Sequence, residues 1–352
     1  MREESDRQSH LAAVRDYYGR VLKGTADLQT NACCAEGSPP AHVRELLARI
    51  HPEVTERFYG CGAPLPEALE GATVLDLGCG TGRDVYLLSA LVGPRGTVIG
   101  VDMTPEQLEV ARRHQDFHAA AFGHATSNVR LVDGLIEDLG AAGVAPDSVD
   151  VVVSNCVVNL SPDKPGVLRE VFRALKPGGE LYFSDVFCDR RLPSELARDP
   201  VLLGECLGGA MYSEDFRRAL RAVGCLDHRV VSSRPLAIGA PEIEARLAGV
   251  RFTSSTVRAF KLDLEDRCED YGQVATYLGT ERHHPRRFAL DDHHVFEAHR
   301  PMLVCGNTAD MLQRTRLAPH FHVTGSRERH FGLFPCGPEP TAGGAASTGA
   351  CC

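Results

Sequence analysis

Three cysteines of this 352-residue chain, Cys61, Cys156 and Cys206, stand in glycine- or asparagine-flanked segments. The middle of the chain carries the turn Val74-Leu75-Asp76-Leu77-Gly78-Cys79-Gly80-Thr81-Gly82-Arg83-Asp84. Thiolates ligate soft ions, but a thiol is a poor general base for an oxygen or nitrogen nucleophile. A glycine turn between a strand and a helix offers backbone N–H groups to a ligand with no Cβ in the way. Together these features predict a soft, thiol-seeking substrate held beside a nucleotide-type cofactor.

The elements that must position them follow from periodicity and punctuation. Residues 1–70 read as a helical segment contributing the Cys33 and Cys61 loops: Leu11, Val14, Tyr17, Tyr18, Val21 and Leu22 recur at helical spacing, as do Val43, Leu46, Leu47 and Ile50. Residues 30–40 between them form a loop by their Asn, Gly, Ser and Pro content. From 71 to 225, short β-rich runs alternate with helical stretches, the pattern of a parallel sheet built from βαβ units. Candidate strands are 73–77, 97–101, 129–132, 149–154 and 180–184. Thr104, Pro105 and Gln107 predict a capping box on the helix after the second strand. A further helix over 167–175 should stop at Lys176-Pro177-Gly178-Gly179. The expected fold class is therefore α/β, a Rossmann-like doubly wound sheet with a smaller α+β C-terminal domain at 226–335. The last stretch, 336–352, reads as a disordered, cysteine-containing tail.

A Gly-x-Gly-x-Gly turn alone is weak evidence, because NAD-type units use a related one. Asp102 sharpens it, since it ends the second strand where a carboxylate can accept both ribose hydroxyls. The run 75–82, with an acid inside the strand ahead of the glycines, resembles the first motif of class I S-adenosylmethionine-dependent methyltransferases. The run 175–181, Leu-Lys-Pro-Gly-Gly-Glu-Leu, resembles a later one. This resemblance covers about residues 70–190. It implies S-adenosylmethionine as cofactor, cradled at Gly78, Cys79 and Gly80. Asp76 would support the methionine amino end and Asp102 the ribose. Met103 would pack on the adenine with Gln107 close by, and Leu135 and Ile136 would close over it.

Cys156 directly follows the fourth strand, and ligands of a doubly wound sheet bind outside the carboxyl ends of its strands. Its thiol should face the methyl donor. Trivalent arsenic suits such a place, because it binds thiolates and carries its own lone pair, so methyl transfer to it needs no base. The segments Tyr59-Gly60-Cys61-Gly62, Ser154-Asn155-Cys156-Val157-Val158-Asn159-Leu160 and Gly204-Glu205-Cys206-Leu207-Gly208-Gly209, with Tyr17-Tyr18-Gly19 and Leu28-Gln29-Thr30, resemble the arsenite methyltransferases over about residues 14–212. The resemblance implies that Cys156 and Cys206 hold trivalent arsenic, with Cys61 and Cys33 as a third ligand or in thiol–disulfide exchange. Tyr59 would neighbour the cofactor. Cys34 follows Cys33, and either could be the active thiol. Isolated Cys188, Cys225, Cys268 and Cys305 read as small buried hydrophobes, and the histidines of 283–299 as surface residues.

Lys+Arg 38 against Asp+Glu 47 gives a charge of −9 without a long basic run, which disfavours nucleic acid and anionic membrane as partners. The charged start and the lack of a long apolar window predict a cytosolic protein, expected to be a monomer. Its thirteen cysteines are then mostly thiols. The predicted activity is methyl transfer from S-adenosylmethionine to thiol-bound arsenite or its glutathione conjugates, with thioredoxin or glutathione as reductant. Two rivals are a methyltransferase of a small organic O, N or C nucleophile and a metalloid-binding protein without turnover. The intact run from Asp76 to Asp102 argues against the second.

Overall fold

The computed structural model describes residues 2–22, 39–60, 64–197, 199–247 and 249–335. The chain opens with helix α1 (Arg2–Asp16), continued by a π turn over Tyr17–Val21, then α2 (Ala41–Leu47) and α3 (Pro52–Thr55). The expected loop and tail at 30–38 and 336–352, with Cys33, Cys34 and Cys61, lie outside the described residues.

The sheet-forming part runs β1 (Thr73–Leu77), α4 (Arg83–Val92), β2 (Thr97–Asp102), α5 (Pro105–Arg113), α6 (Gln115–Phe122), β3 (Val129–Asp133), β4 (Val149–Asn155), α7 (Lys164–Ala174) and β5 (Leu175–Cys188). Then come α8 (Ser194–Ala197), α9 (Pro200–Gly204), β6 (Met211–Tyr212), α10 (Ser213–Ala222), β7 (His228–Pro235), α11 (Pro241–Arg246) and β8 (Phe252–Phe260). Strand order is β3-β2-β1-β4-β5-β8-β7, with β6 on β5. The first five strands are parallel, and β8 and β7 add antiparallel. Successive residues of a strand face opposite sides. Val74 therefore packs into one apolar layer with Val98, Val151 and α4, while Leu75 and Leu77 enter another with Val152 and α7. Burial on both faces explains the unbroken apolar runs seen in sequence.

Three local expectations are corrected. The helix before β5 ends at Ala174, and the chain continues directly into strand; Lys176 to Gly179 lie inside β5, where the β4 register slips and Gly178 takes φ +78. The helix thus stops within one residue of where it was expected, and the correction is to the strand: Pro and Gly mark its irregular start rather than a gap before it. No capping box forms at α5: Thr104 makes no side-chain cap bond, its N–H is donated to Asp102, and the Gln107 side chain goes to another partner described below. The sheet also does not stop at 225, since β7 and β8 belong to it.

After β8 the chain forms β9 (Glu269–Asp270), β10 (Gln273–Tyr277), β11 (Arg287–Ala289), β12 (Val295–Glu297), β13 (Pro301–Val304), α12 (Gly306–Gln313), β14 (Phe321–Thr324) and β15 (Gly332–Leu333). These surround a separate core around Tyr277, Phe288, Phe296 and Phe321. Buried charges tie it to the sheet: Arg258 of β8, paired with Glu180 of β5 at 2.7 Å and Glu67 at 2.9 Å, donates to the Leu290 carbonyl at 2.8 Å, and Arg316 pairs with Glu180. Cys188, Cys225, Cys268 and Cys305 are all buried, and Cys305 Sγ caps α12 by accepting Thr308 N–H. His294 is not at the surface but buried against Asp291. Among the described residues, no helix is long and apolar enough to cross a membrane.

Candidate active site

Strand order reverses between β1 and β4, so the carboxyl ends of these neighbours open a crevice. One cavity fills it, and every cofactor residue expected from sequence lines it: Asp76, Gly78, Cys79 and Gly80 after β1, Asp102, Met103 and Gln107 after β2, Leu135 and Ile136 after β3, and Tyr59 from the lead-in. Cys156 lines the same cavity.

Gly78 is needed at its position. It has φ +67, and a Cβ there would lie 2.4 Å from Val157 Cγ1, so the first turn and the segment after Cys156 close on each other only without a side chain. Gly60 makes a similar close approach, since a Cβ would fall 2.7 Å from Asn155 Nδ2. The lead-in that carries Gly60 is pinned by Thr81 Oγ1, which donates to the Val54 carbonyl at 2.9 Å. Arg83 is held on two sides: its guanidinium lies over the Phe58 ring and binds Asp84 at 2.7 Å. Asp84 in turn accepts Asn155 Nδ2 at 2.9 Å.

The acids fit a cationic, ribose-bearing ligand. Asp102 accepts the Gly80 and Thr104 N–H groups, both at 2.8 Å, one on each oxygen. A carboxylate has about four acceptor sites, so lone pairs remain for a ribose diol. Burial pushes Asp102 above the usual carboxyl range, and these amides oppose the shift. Asp76 is pushed well above it, first by burial and then by the Asp84 and Asp102 charges. A cation beside it would relieve all three. Gln107 donates Nε2 to the Tyr18 carbonyl at 2.8 Å, while its buried Oε1 has no partner among the described residues, which suits an adenine amino group. Cys79 is held strongly as the neutral thiol by burial and by Asp102 and Asp76, so it packs rather than reacts. These residues fit S-adenosylmethionine.

The two cysteine segments meet beside the cavity, through the Cys156 backbone, and Cys156 is expected as a thiol but stands oxidised. Cys156 N–H donates to the Ser184 carbonyl at 2.9 Å, and Cys206 Sγ–H donates to the Cys156 carbonyl at 3.2 Å. Cys156 is disulfide-bonded, and both cysteines are buried. Both also hold left-handed backbone, at φ +58 and +61. Such conformations cost about 1–3 kcal/mol each in non-glycine residues and persist where the surroundings impose them. Asp185 accepts Asn159 N–H at 3.1 Å and Asn159 Nδ2 at 2.7 Å and so holds the segment after Cys156. Burial raises Asp185 to about 7. Lys164 has its pKa lowered by burial, opposed by the charges of Asp185, Cys206 and Glu137.

Sequence reasoning missed Asp84, Asn155, Asp185 and Tyr18. Asn155 and Tyr18 lay within quoted segments, but their partners come from strands and helices far along the chain.

A model of the methyltransferase domain family matches residues 68–224. The arsenite methyltransferase of Aquipseudomonas alcaligenes is 54% identical over 327 residues, 92% of this chain and 94% of that protein. Those of Mus musculus and Homo sapiens are each 44% identical, across 88% of this chain and 82% of theirs. The crystal structure of an arsenic(III) S-adenosylmethionine methyltransferase from Chlamydomonas reinhardtii superposes with TM-score 0.82 at 50% identity, covering 84% of this chain and 100% of that one. Likeness of this extent, over nearly the whole length of both chains, places this one: the chain belongs to the arsenite methyltransferase family.

Proposed function

We propose that Cys156 and Cys206 hold trivalent arsenic at the mouth of the cofactor cavity and present its lone pair to the methyl donor. S-adenosylmethionine, when bound, supplies an electrophilic methyl on a sulfonium. Asp102 takes the ribose hydroxyls, Asp76 faces the amino end, Met103, Leu135 and Ile136 enclose the adenine, and Tyr59 borders it. Thiols replace arsenite hydroxyls and release water, which removes bulk solvent from the reacting atom. The lone pair of arsenic forms the new As–C bond as the C–S bond breaks, so the residues need only position and exclude water.

The observation that carries this reading is the Cys206 Sγ–H bond to the Cys156 carbonyl, which joins two thiol-bearing segments at the carboxyl end of β4. Methylation converts trivalent arsenic to the pentavalent state. Return to the trivalent state takes two electrons, which a pair of thiols supplies by closing to a disulfide. The disulfide at Cys156 accords with such exchange, and Cys61 and Cys33, or Cys34, are the proposed partners. Thioredoxin or glutathione would then reopen the disulfide, with arsenite or its glutathione conjugate as substrate and the enzyme acting as a monomer in the cytosol.

Radiolabelled S-adenosylmethionine with arsenite and a thiol reductant tests it. Wild type should yield methylarsenicals, and Cys156→Ser and Cys206→Ser should each lose nearly all of that yield. Equal yields from all three would refute the assignment.

A further inference from the structure

The chain from Arg2 to Val21 touches both halves of the site. Tyr17 donates its hydroxyl to Glu205 Oε1 at 3.0 Å, and Tyr18 donates its own to the Gly204 carbonyl at 2.8 Å. Glu205 is fully buried, and these are the two residues immediately before Cys206. Gly204 has no room for a side chain there, because a Cβ would lie 2.7 Å from the Tyr17 ring.

The same turn grips the cofactor side. The Tyr18 carbonyl accepts Gln107 Nε2 at 2.8 Å, from the first turn of α5. The Tyr18 ring lines the cofactor cavity and meets Tyr59 edge-on at 5.7 Å. His10, on α1, bonds the Leu160 carbonyl at 2.9 Å, in the segment that follows Cys156. The turn that carries both tyrosines is π-helical, a distortion that concentrates at functional sites.

We infer that Tyr17 and Tyr18 are positioning residues that couple the cofactor cavity to the Cys206 thiol. A ligand in the cavity packs on Tyr18 and fixes Gln107. That holds the π turn over Tyr17–Val21, and the turn holds Gly204 and Glu205, so Cys206 loses freedom before arsenic arrives. Coupling of this kind is reciprocal: the cofactor tightens arsenic, and arsenic tightens the cofactor by the same factor. The inference rests on the proposed role of Cys206.

Equilibrium dialysis of arsenite under a phosphine reductant tests it, with bound arsenic measured by mass spectrometry. Cys206→Ser serves as the blank that defines the Cys206-dependent component. Each protein is measured with and without saturating S-adenosylhomocysteine, which fills the cavity but donates no methyl. For wild type, the ligand should tighten arsenite by about fivefold or more, the usual lower range of such coupling. In Tyr17→Phe and Tyr18→Phe, which keep the rings and lose the hydroxyls, that ratio should fall towards one. S-adenosylhomocysteine alone should bind Tyr17→Phe as it binds wild type. A purely structural role would lower melting temperature and both arsenite affinities together, leaving the ratio as in wild type, and would overturn the inference. So would a wild-type ratio of one. Wild type without any Cys206-dependent arsenite binding would overturn the proposed function itself, and the inference with it.

Discussion

Alanine in place of Gly78 should damage the fold and the thiol segment through one contact. The new Cβ would sit 2.4 Å and 2.5 Å from the two Val157 methyls and 2.9 Å from Val157 Cβ, on a backbone at φ +67. Carbon atoms rest about 3.5–4.0 Å apart, so Val157 must withdraw by roughly 1 Å, and Cys156 is its chain neighbour. Left-handed backbone costs alanine about 1–2 kcal/mol, and overpacking of this kind adds about 1–3 kcal/mol. Gly71→Ala is the control, because it has φ +76 but nothing within 4 Å, so it carries only the backbone strain. Urea titration of the two variants should show Gly78→Ala the less stable by about 1–3 kcal/mol. Adding Val157→Ala should return most of that excess. Equal losses in the two single variants, or no recovery in the double, would refute the steric account. Dialysis against arsenite gives an independent reading, since Gly78→Ala should weaken the Cys206-dependent component while Gly71→Ala leaves it intact.

Three other outcomes follow from groups already described. Asp76 is held well above the usual carboxyl range by burial and by Asp84 and Asp102, so a cationic cofactor should drive its proton off: affinity should rise with pH, and calorimetry in buffers of different ionisation heat should register proton release that Asp76→Asn abolishes. Asp185, raised by burial to about 7, binds its proton more tightly folded than unfolded. The stability it contributes is therefore present at acid pH, falls as pH climbs from the ordinary carboxyl range to about 7, and is flat above. Between pH 5 and pH 7, wild type should lose about 2 kcal/mol relative to Asp185→Asn in urea titrations, and a parallel pair of curves would exclude the effect. Cys206 sits at φ +61, so Cys206→Gly should be more stable than Cys206→Ala by about 1 kcal/mol, the reverse of the order expected in ordinary backbone; thermal denaturation decides it.

The parallel half of the sheet was legible because its strands are apolar on both faces and punctuated by glycine. β8 was not, and its composition explains why. Ser254, Ser255 and Arg258 are buried in it, which no hydrophobic pattern announces. Two of them are made tolerable by partners on other strands, Ser255 by Ser233 at 2.8 Å and Arg258 by Glu180 at 2.7 Å, as is neighbouring Thr256 by Ser184 at 2.7 Å. A buried polar group is stable only with such partners, and their pairing is a property of the register, not of any local run. Apolar alternation ends near 225, while the sheet runs on through β7 and β8.

The site divides in the same way. Gly78, Asp76 and Asp102 declare themselves because a turn that must approach a ligand closely tolerates few residue types, and the strand-end acid follows at a fixed spacing. Gln107 lay close enough in sequence to be included, but its spacing from Thr104 suggested a local cap. The structure spends that side chain on Tyr18, 89 residues away, and leaves its other end facing the cavity. Cys156 and Cys206 were legible as thiols in special contexts, but their left-handed backbone was not. Asparagine and glycine are the residues that usually mark such a conformation, and here both positions are cysteine. A strained non-glycine residue at both positions accords with the proposal that the sulfur, not the turn, is what they require.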